Sequence, residues 1–268
     1  MSSVPAALLT IALSIIMGLA AQTGFLLPVL ATVVVAQVMI AAAPAPADDH
    51  GRALPTPHMI PTLVAGVVAA AVAYHPMLLL GAQTRGSLDG LQSGVLAGIL
   101  LGSAAGLMAA LVAQIARRDG RSSLVRSMGA ATSLTVFAAC ASGWIAAARA
   151  STGPDIVIVQ CAAMVAALAV SMAPGPRLVI VSLAVLAGAG AAVGTTYGPG
   201  IDVPVLFAMC AGLGAAGVAV LGLAAGAAWT HGRHHLPAAW GLPAALSFAL
   251  TGPVVFVTGD FLSAALPQ

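Results

Sequence analysis

Long apolar runs, each closed by a short cluster of proline, glycine, arginine or aspartate, divide the chain into nine stretches. They lie at about 1–21, 25–43, 62–80, 90–114, 127–148, 155–172, 178–194, 203–229 and 241–259. A run of roughly 20 apolar residues is what a helix needs to cross a bilayer. The eighth is longer than that, which predicts tilt or an extension along the interface. Between the second and third runs, 44–61 holds Pro44, Pro46, Pro55, Pro57 and Pro61 with Asp48, Asp49 and Arg52, a composition that cannot continue a helix. Gly18-Leu19-Ala20 faintly resembles a signal-peptidase site, but no charged segment precedes it, so the first run reads as a retained span. The expected fold is an all-α integral membrane protein: one domain, 1–268, built as a bundle of about nine transmembrane helices.

The fourth run carries the strongest regularity. Gly90, Gly94, Gly98, Gly102 and Gly106 recur every four residues and Ala110 continues the series. Residues four apart on a helix lie nearly one above another, so the series forms a ridge almost without side chains. In water each interior glycine would weaken the helix by about 0.8–1 kcal/mol relative to alanine. In a bilayer the same ridge lets a neighbouring backbone approach closely. These five glycines are therefore expected to be a helix-packing seam.

Composition agrees with the pattern. Hydrophobic residues make up 60% of the chain and charged residues 6%, too few to cover a water-soluble domain of this length. Lysine and glutamate are absent, so orientation must be read from arginine. With the amino terminus in the cytoplasm, Arg52, Arg117, Arg118, Arg121, Arg126, Arg177 and Arg233 fall inside, and only Arg85 and Arg149 fall outside. That asymmetry follows the positive-inside rule and places the carboxyl terminus outside a plasma membrane. Trp229 and Trp240 flank the histidine-bearing loop as an interfacial aromatic pair would.

A few matches at one offset raise the expectation of a weak internal repeat across the two halves of the chain. Gly120-Arg121-Ser122-Ser123-Leu124 and Gly232-Arg233-His234-His235-Leu236 are offset by 112 residues. At the same offset Gly129 meets Gly241, Leu134 meets Leu246 and Thr135 meets Ser247. This pairs spans two to five with spans six to nine, as halves 24–150 and 151–268 after one extra span. The competing explanation is that short basic loops recur for topological reasons alone.

Chemistry is conspicuous by absence. No Asp, Glu, Lys, Arg or His lies in the middle of a run, which argues against proton relays and ion coupling through a buried carboxylate. Pro253, after Gly252, could break the ninth span; a packing kink is the simpler reading. His231 and His235 share helical spacing, but Gly232 and Pro237 argue against a sustained helix there, so no metal site is expected. Cys140, Cys161 and Cys210 sit in apolar runs and read as small hydrophobes. Asp89 and Asp202 stand before the two longest helices, where a carboxylate complements the helix dipole; they are also the candidates for the mouth of a pathway. Gln37, Gln114 and Gln160 are the intramembrane amides, expected to bond to neighbouring helices. No catalytic motif and no cofactor motif is present.

Two function classes fit. The first is a non-catalytic membrane subunit or scaffold, in contact with lipids and with other membrane subunits or copies of itself. The alternative is a permease for a neutral or apolar solute, its pathway between the two halves. Neither involves nucleic acid, and an enzyme is the less favoured class. The topology is directly testable. Cysteines placed at Ser122 and His234 should resist impermeant thiol reagents in intact cells, and one at Ser263 should react. Labelling at Ser122 with protection at Ser263 would invert the orientation.

Overall fold

The computed structural model describes residues 4–44, 58–75, 89–117, 124–150, 153–230 and 238–265, with side-chain surroundings given from 98 onward in the fourth helix and for 240–259 in the last. All regular structure in these residues is helical. In chain order the helices are α1 Val4–Gln22, α2 Leu26–Ala41, α3 Met59–Tyr74, α4 Asp89–Ile115 and α5 Leu124–Cys140. They continue as α6 Gly143–Arg149, α7 Gly153–Ser171, α8 Arg177–Thr195, α9 Val205–Trp229 and α10 Ala238–Ala265.

Seven apolar segments among the described residues are long enough to cross a membrane: α1, α4, α5 with α6, α7, α8, α9 and α10. By length and composition, these helices are those of a multi-pass membrane protein. The apolar helices α2 and α3 have 16 residues each. At 1.5 Å per residue each rises about 24 Å, short of the roughly 30 Å hydrocarbon core. The sequence pattern carried the third run to residue 80, but the helix stops at Tyr74. His75 precedes Pro76, and a residue before proline is driven out of the helical region; its φ and ψ are −128° and 75°.

Local chemistry sets the other boundaries. Between α1 and α2, Gly24 takes a φ of 69°, which lets the chain reverse sharply. The Thr23 hydroxyl donates to Ala20 O at 2.7 Å and accepts from the Phe25 amide at 3.2 Å, satisfying groups freed by the turn. Pro28 falls in the first turn of α2, where no amide proton is needed. Beyond its last turn, His58 Nε2 donates to Ala43 O at 2.8 Å and Trp229 Nε1 to Pro44 O at 3.4 Å.

The fifth run, expected as one helix, is interrupted. Residues 141–142 form a turn between α5 and α6, with the Ser142 hydroxyl donating to Ala139 O at 2.7 Å. The same bond, from a hydroxyl to the carbonyl three residues back, occurs inside unbroken helix at Thr135 and Thr251, so it accompanies the break without causing it.

The segment α5–α6 and helix α10 form the buried centre, and α4 and α8 are the most peripheral spans. Around the centre, α3 packs on α4, α4 on α5, α8 on α7 and α9, and α9 on α10. Helix α1 packs on α7 and α10. The largest fully buried side chains include Trp144, Phe248, Met17, Leu134 and Met164.

Much of the packing is backbone against backbone. A Cβ placed on Gly102 would stand 2.5 Å from Ala65 O and 2.6 Å from Ala69 Cβ. On Gly226 it would stand 2.3 Å from Pro243 Cα, and on Gly222 2.7 Å from Ser247 Cα. A lipid-filled surrounding supplies no hydrophobic drive between helices, so close contact of this kind must hold them. Gly102→Leu should therefore misassemble, since overpacking costs about 1–3 kcal/mol even where side chains can yield. Ala104→Leu, on the exposed face two residues away, should be tolerated. The check is the monodisperse fraction after detergent extraction at matched expression; equal behaviour of the two variants would contradict the seam.

Candidate functional site

The glycines singled out in the fourth run divide by position. Gly98, Gly102 and Gly106 face α3: Gly98 approaches Val72 and Ala69, Gly102 approaches Ala65 and Ala69, and Gly106 approaches Ala65. Gly106 also meets Thr135 of α5, with a built Cβ 2.9 Å from Thr135 Cβ, so it sits where three helices converge. Gly90 and Gly94 belong to α4, but their surroundings lie outside the described residues. The same holds for the Asp89 side chain, and His231, His234 and His235 lie wholly outside.

The broken α5–α6 segment and α10, the two most buried spans among the described residues, cross in backbone contact. A Cβ on Gly252 would stand 2.4 Å from Cys140 O, and one on Gly143 would stand 2.4 Å from the Gly252 carbonyl carbon. Any side chain at either position would collide with main chain that cannot swing aside. Pro253 follows Gly252 inside α10 and removes a ladder donor, which favours local distortion there. Trp144 closes the crossing. Its indole N–H donates to Phe248 O at 2.8 Å, and its ring stacks on Phe248 with centroids 4.9 Å apart and planes 13° from parallel. Such a stacked pair contributes about 0.5–1.5 kcal/mol beyond the area it buries.

Buried polar side chains surround this centre, and nearly all are bound to the chain itself. The Gln37 amide donates to Gly66 O and to Ala138 O, each at 3.1 Å, and so ties α2 to α3 and α5. Ser247 donates to Ala219 O at 2.7 Å, from α10 to α9. Thr10 reaches both Ala6 O at 2.9 Å and Ala244 O at 3.4 Å. At one end of the α4–α5 hairpin, Gln114 Nε2 donates to Ser127 Oγ at 2.6 Å, and Arg117 Nη1 donates to Gln114 Oε1 at 2.8 Å. Gln160 donates to Thr258 Oγ1 across α7 and α10.

Asp202 is exposed in the connection before α9, and its amide donates to Asp155 Oδ2 at 3.4 Å. The structure thus joins Asp202 to Asp155, the acidic residue in the first turn of α7. Elsewhere, Arg149 in the last turn of α6 donates to Tyr74 O, fastening the end of α6 to the end of α3. Among the described residues, no group of three or more His, Cys, Asp or Glu side chains is gathered that could hold a metal ion.

The sequence pattern gives no sign that Trp144 sits at the buried centre. The run Ala141-Ser142-Gly143, three small residues at mid-span, is the signal that could have found the break. Nothing in the sequence pairs Gly143 with Gly252. No family model, curated protein or solved structure matches the chain.

The crossing generates a graded expectation. Trp144→Phe keeps the stacking but loses the bond to Phe248 O, at a cost of about 0.5–1.5 kcal/mol. Trp144→Ala should cost about 3–5 kcal/mol. Trp240→Phe, at a 40% exposed position, should change little. Thermal unfolding in one detergent would order the three variants; a Trp240 effect as large as that of Trp144→Ala would contradict the assignment.

Proposed function

We propose that this chain is a non-catalytic polytopic membrane subunit or scaffold. It crosses the plasma membrane with nine helices, its amino terminus in the cytoplasm and its carboxyl terminus outside. The observation that carries this reading is how the buried polar groups are used. Thr10, Gln37, Ser142, Ser247 and Thr251 all donate to carbonyls of the chain's own helices. A catalyst or carrier must keep polar groups free for its substrate; here Thr10, Gln37 and Ser247 bond across to neighbouring helices, and Ser142 and Thr251 bond to carbonyls of their own segment. The partner is another membrane subunit or a second copy of the chain, bound through outward faces of the bundle that carry large apolar residues such as Leu100, Leu186 and Leu206.

One observation favours the permease alternative. Cys140 and Gly252 are equivalent under the 112-residue offset, and the two are in backbone contact at the crossing. Equivalent positions meet in this way on a two-fold axis between halves 24–150 and 151–268. A solute pathway between such halves would follow the logic of parallel-repeat carriers.

Native mass spectrometry of protein extracted in mild detergent separates the readings. The subunit reading expects a stoichiometric protein partner or a defined homo-oligomer. A monomer carrying only lipid would contradict it and leave the permease.

A further inference from the structure

Gln160 is fully buried, yet its carbonyl oxygen Oε1 has no hydrogen-bond partner; it is the one such side-chain atom among the described residues. The other end of the amide is fixed. Thr258 Oγ1 lies 2.8 Å from Val254 O and 3.0 Å from Val255 O, so its proton is spent on the backbone of α10 and its oxygen accepts from Gln160 Nε2. Turning the amide over would require the Thr258 hydroxyl to give up its bond to the α10 backbone in order to donate to Oε1, and would leave an N–H orphaned instead. Either way one polar end of a buried amide lacks a partner, at the full desolvation cost of that group.

We infer that Gln160 Oε1 anchors a buried site for a neutral hydrogen-bond donor, a water molecule or the hydroxyl of a small solute. The second lone pair of Thr258 Oγ1 gives the same donor a further acceptor within the site, as a buried water requires. Neutrality follows from the surroundings. The residues one turn away, Ile156 and Met164 on α7 and Val254 and Val255 on α10, are apolar. A cation there would sit in low dielectric without a counter-charge among the described side chains. The nearest carboxylate on the same helix, Asp155, is five residues away, about 7.5 Å along the axis, and Asp202's amide already donates to it. The inference rests on neither functional reading, since a structural water suits a scaffold and a solute hydroxyl suits a permease.

The test uses the full-length protein in lipid nanodiscs, purified into buffer free of organic solutes, at a resolution that shows ordered waters. The expected result is density about 2.7–3.2 Å from Gln160 Oε1. A single isolated peak identifies water; extended density that a solute-free wash removes identifies a solute hydroxyl; both support the site. A second measurement is the difference infrared spectrum of 13C-glutamine-labelled wild type and Gln160→Met. It should place the Gln160 carbonyl at a hydrogen-bonded frequency. Empty density with the carbonyl at the frequency of an unbonded amide would overturn the inference. The density measurement needs no variant and so stands even if Gln160→Met fails to fold.

Discussion

Everything in this bundle depends on two helix backbones touching at Gly143 and Gly252. In a bilayer, apolar side chains gain nothing by leaving lipid for protein, so association must come from close van der Waals contact and from polar groups with no other partner. Both meet at the crossing of α5–α6 with α10. The main chains are too close for a single methyl group, and the Trp144 indole donates to a main-chain carbonyl across the gap. The neighbouring seams repeat the device with Gly102 against Ala65 and Gly226 against Pro243. Glycine costs about 0.8–1 kcal/mol per residue in a helix relative to alanine. That cost is offset by contacts worth about 0.1–0.2 kcal/mol per atom pair, which become numerous only when backbones meet.

The same constraint organises the polar side chains. Gln37 joins three helices because its amide finds two carbonyls within 3.1 Å, and Gly66 leaves room for it: a Cβ there would lie 2.8 Å from Gln37 Cδ. Ser247, on the α9 seam, sits against Gly222 and bonds to Ala219 O on the same helix. Polarity and close packing are therefore one feature seen twice: the small residue admits the neighbour, and the neighbour brings the hydroxyl or amide that binds. Gln160 breaks the pattern, since half of its amide is matched by Thr258 and half is not.

How much of this was legible in the sequence differs by level. The helical class and the multi-pass architecture follow from runs of apolar residues, because crossing a bilayer is a requirement of length and composition alone. The end of α3 was legible in principle, since His75 stands before Pro76, but an apolar run that continued past the proline concealed it. The break at 141–142 has no proline to mark it; its trace in the sequence is the small-residue run Ala141-Ser142-Gly143. The glycine spacing in α4 is visible in the sequence, whereas the helix opposite it, α3, is not. The central contacts were out of reach: Trp144 lies 104 residues from Phe248 and Gln160 lies 98 from Thr258. Periodicity describes one helix at a time, and those pairs belong to two.

The most direct measurement adds one methyl group at two glycines and compares thermal unfolding in the same detergent. At Gly252 the methyl would enter main chain 2.4 Å away, whereas at Gly190 of α8 nothing lies within 4 Å. The account predicts opposite signs: Gly252→Ala should unfold at markedly lower temperature, and Gly190→Ala should hold or gain stability, because alanine is the better helix former by about 0.8–1 kcal/mol. Equal shifts in the two variants, or a Gly252→Ala protein as stable as the wild type, would contradict the claim that backbone contact at the crossing holds the bundle together.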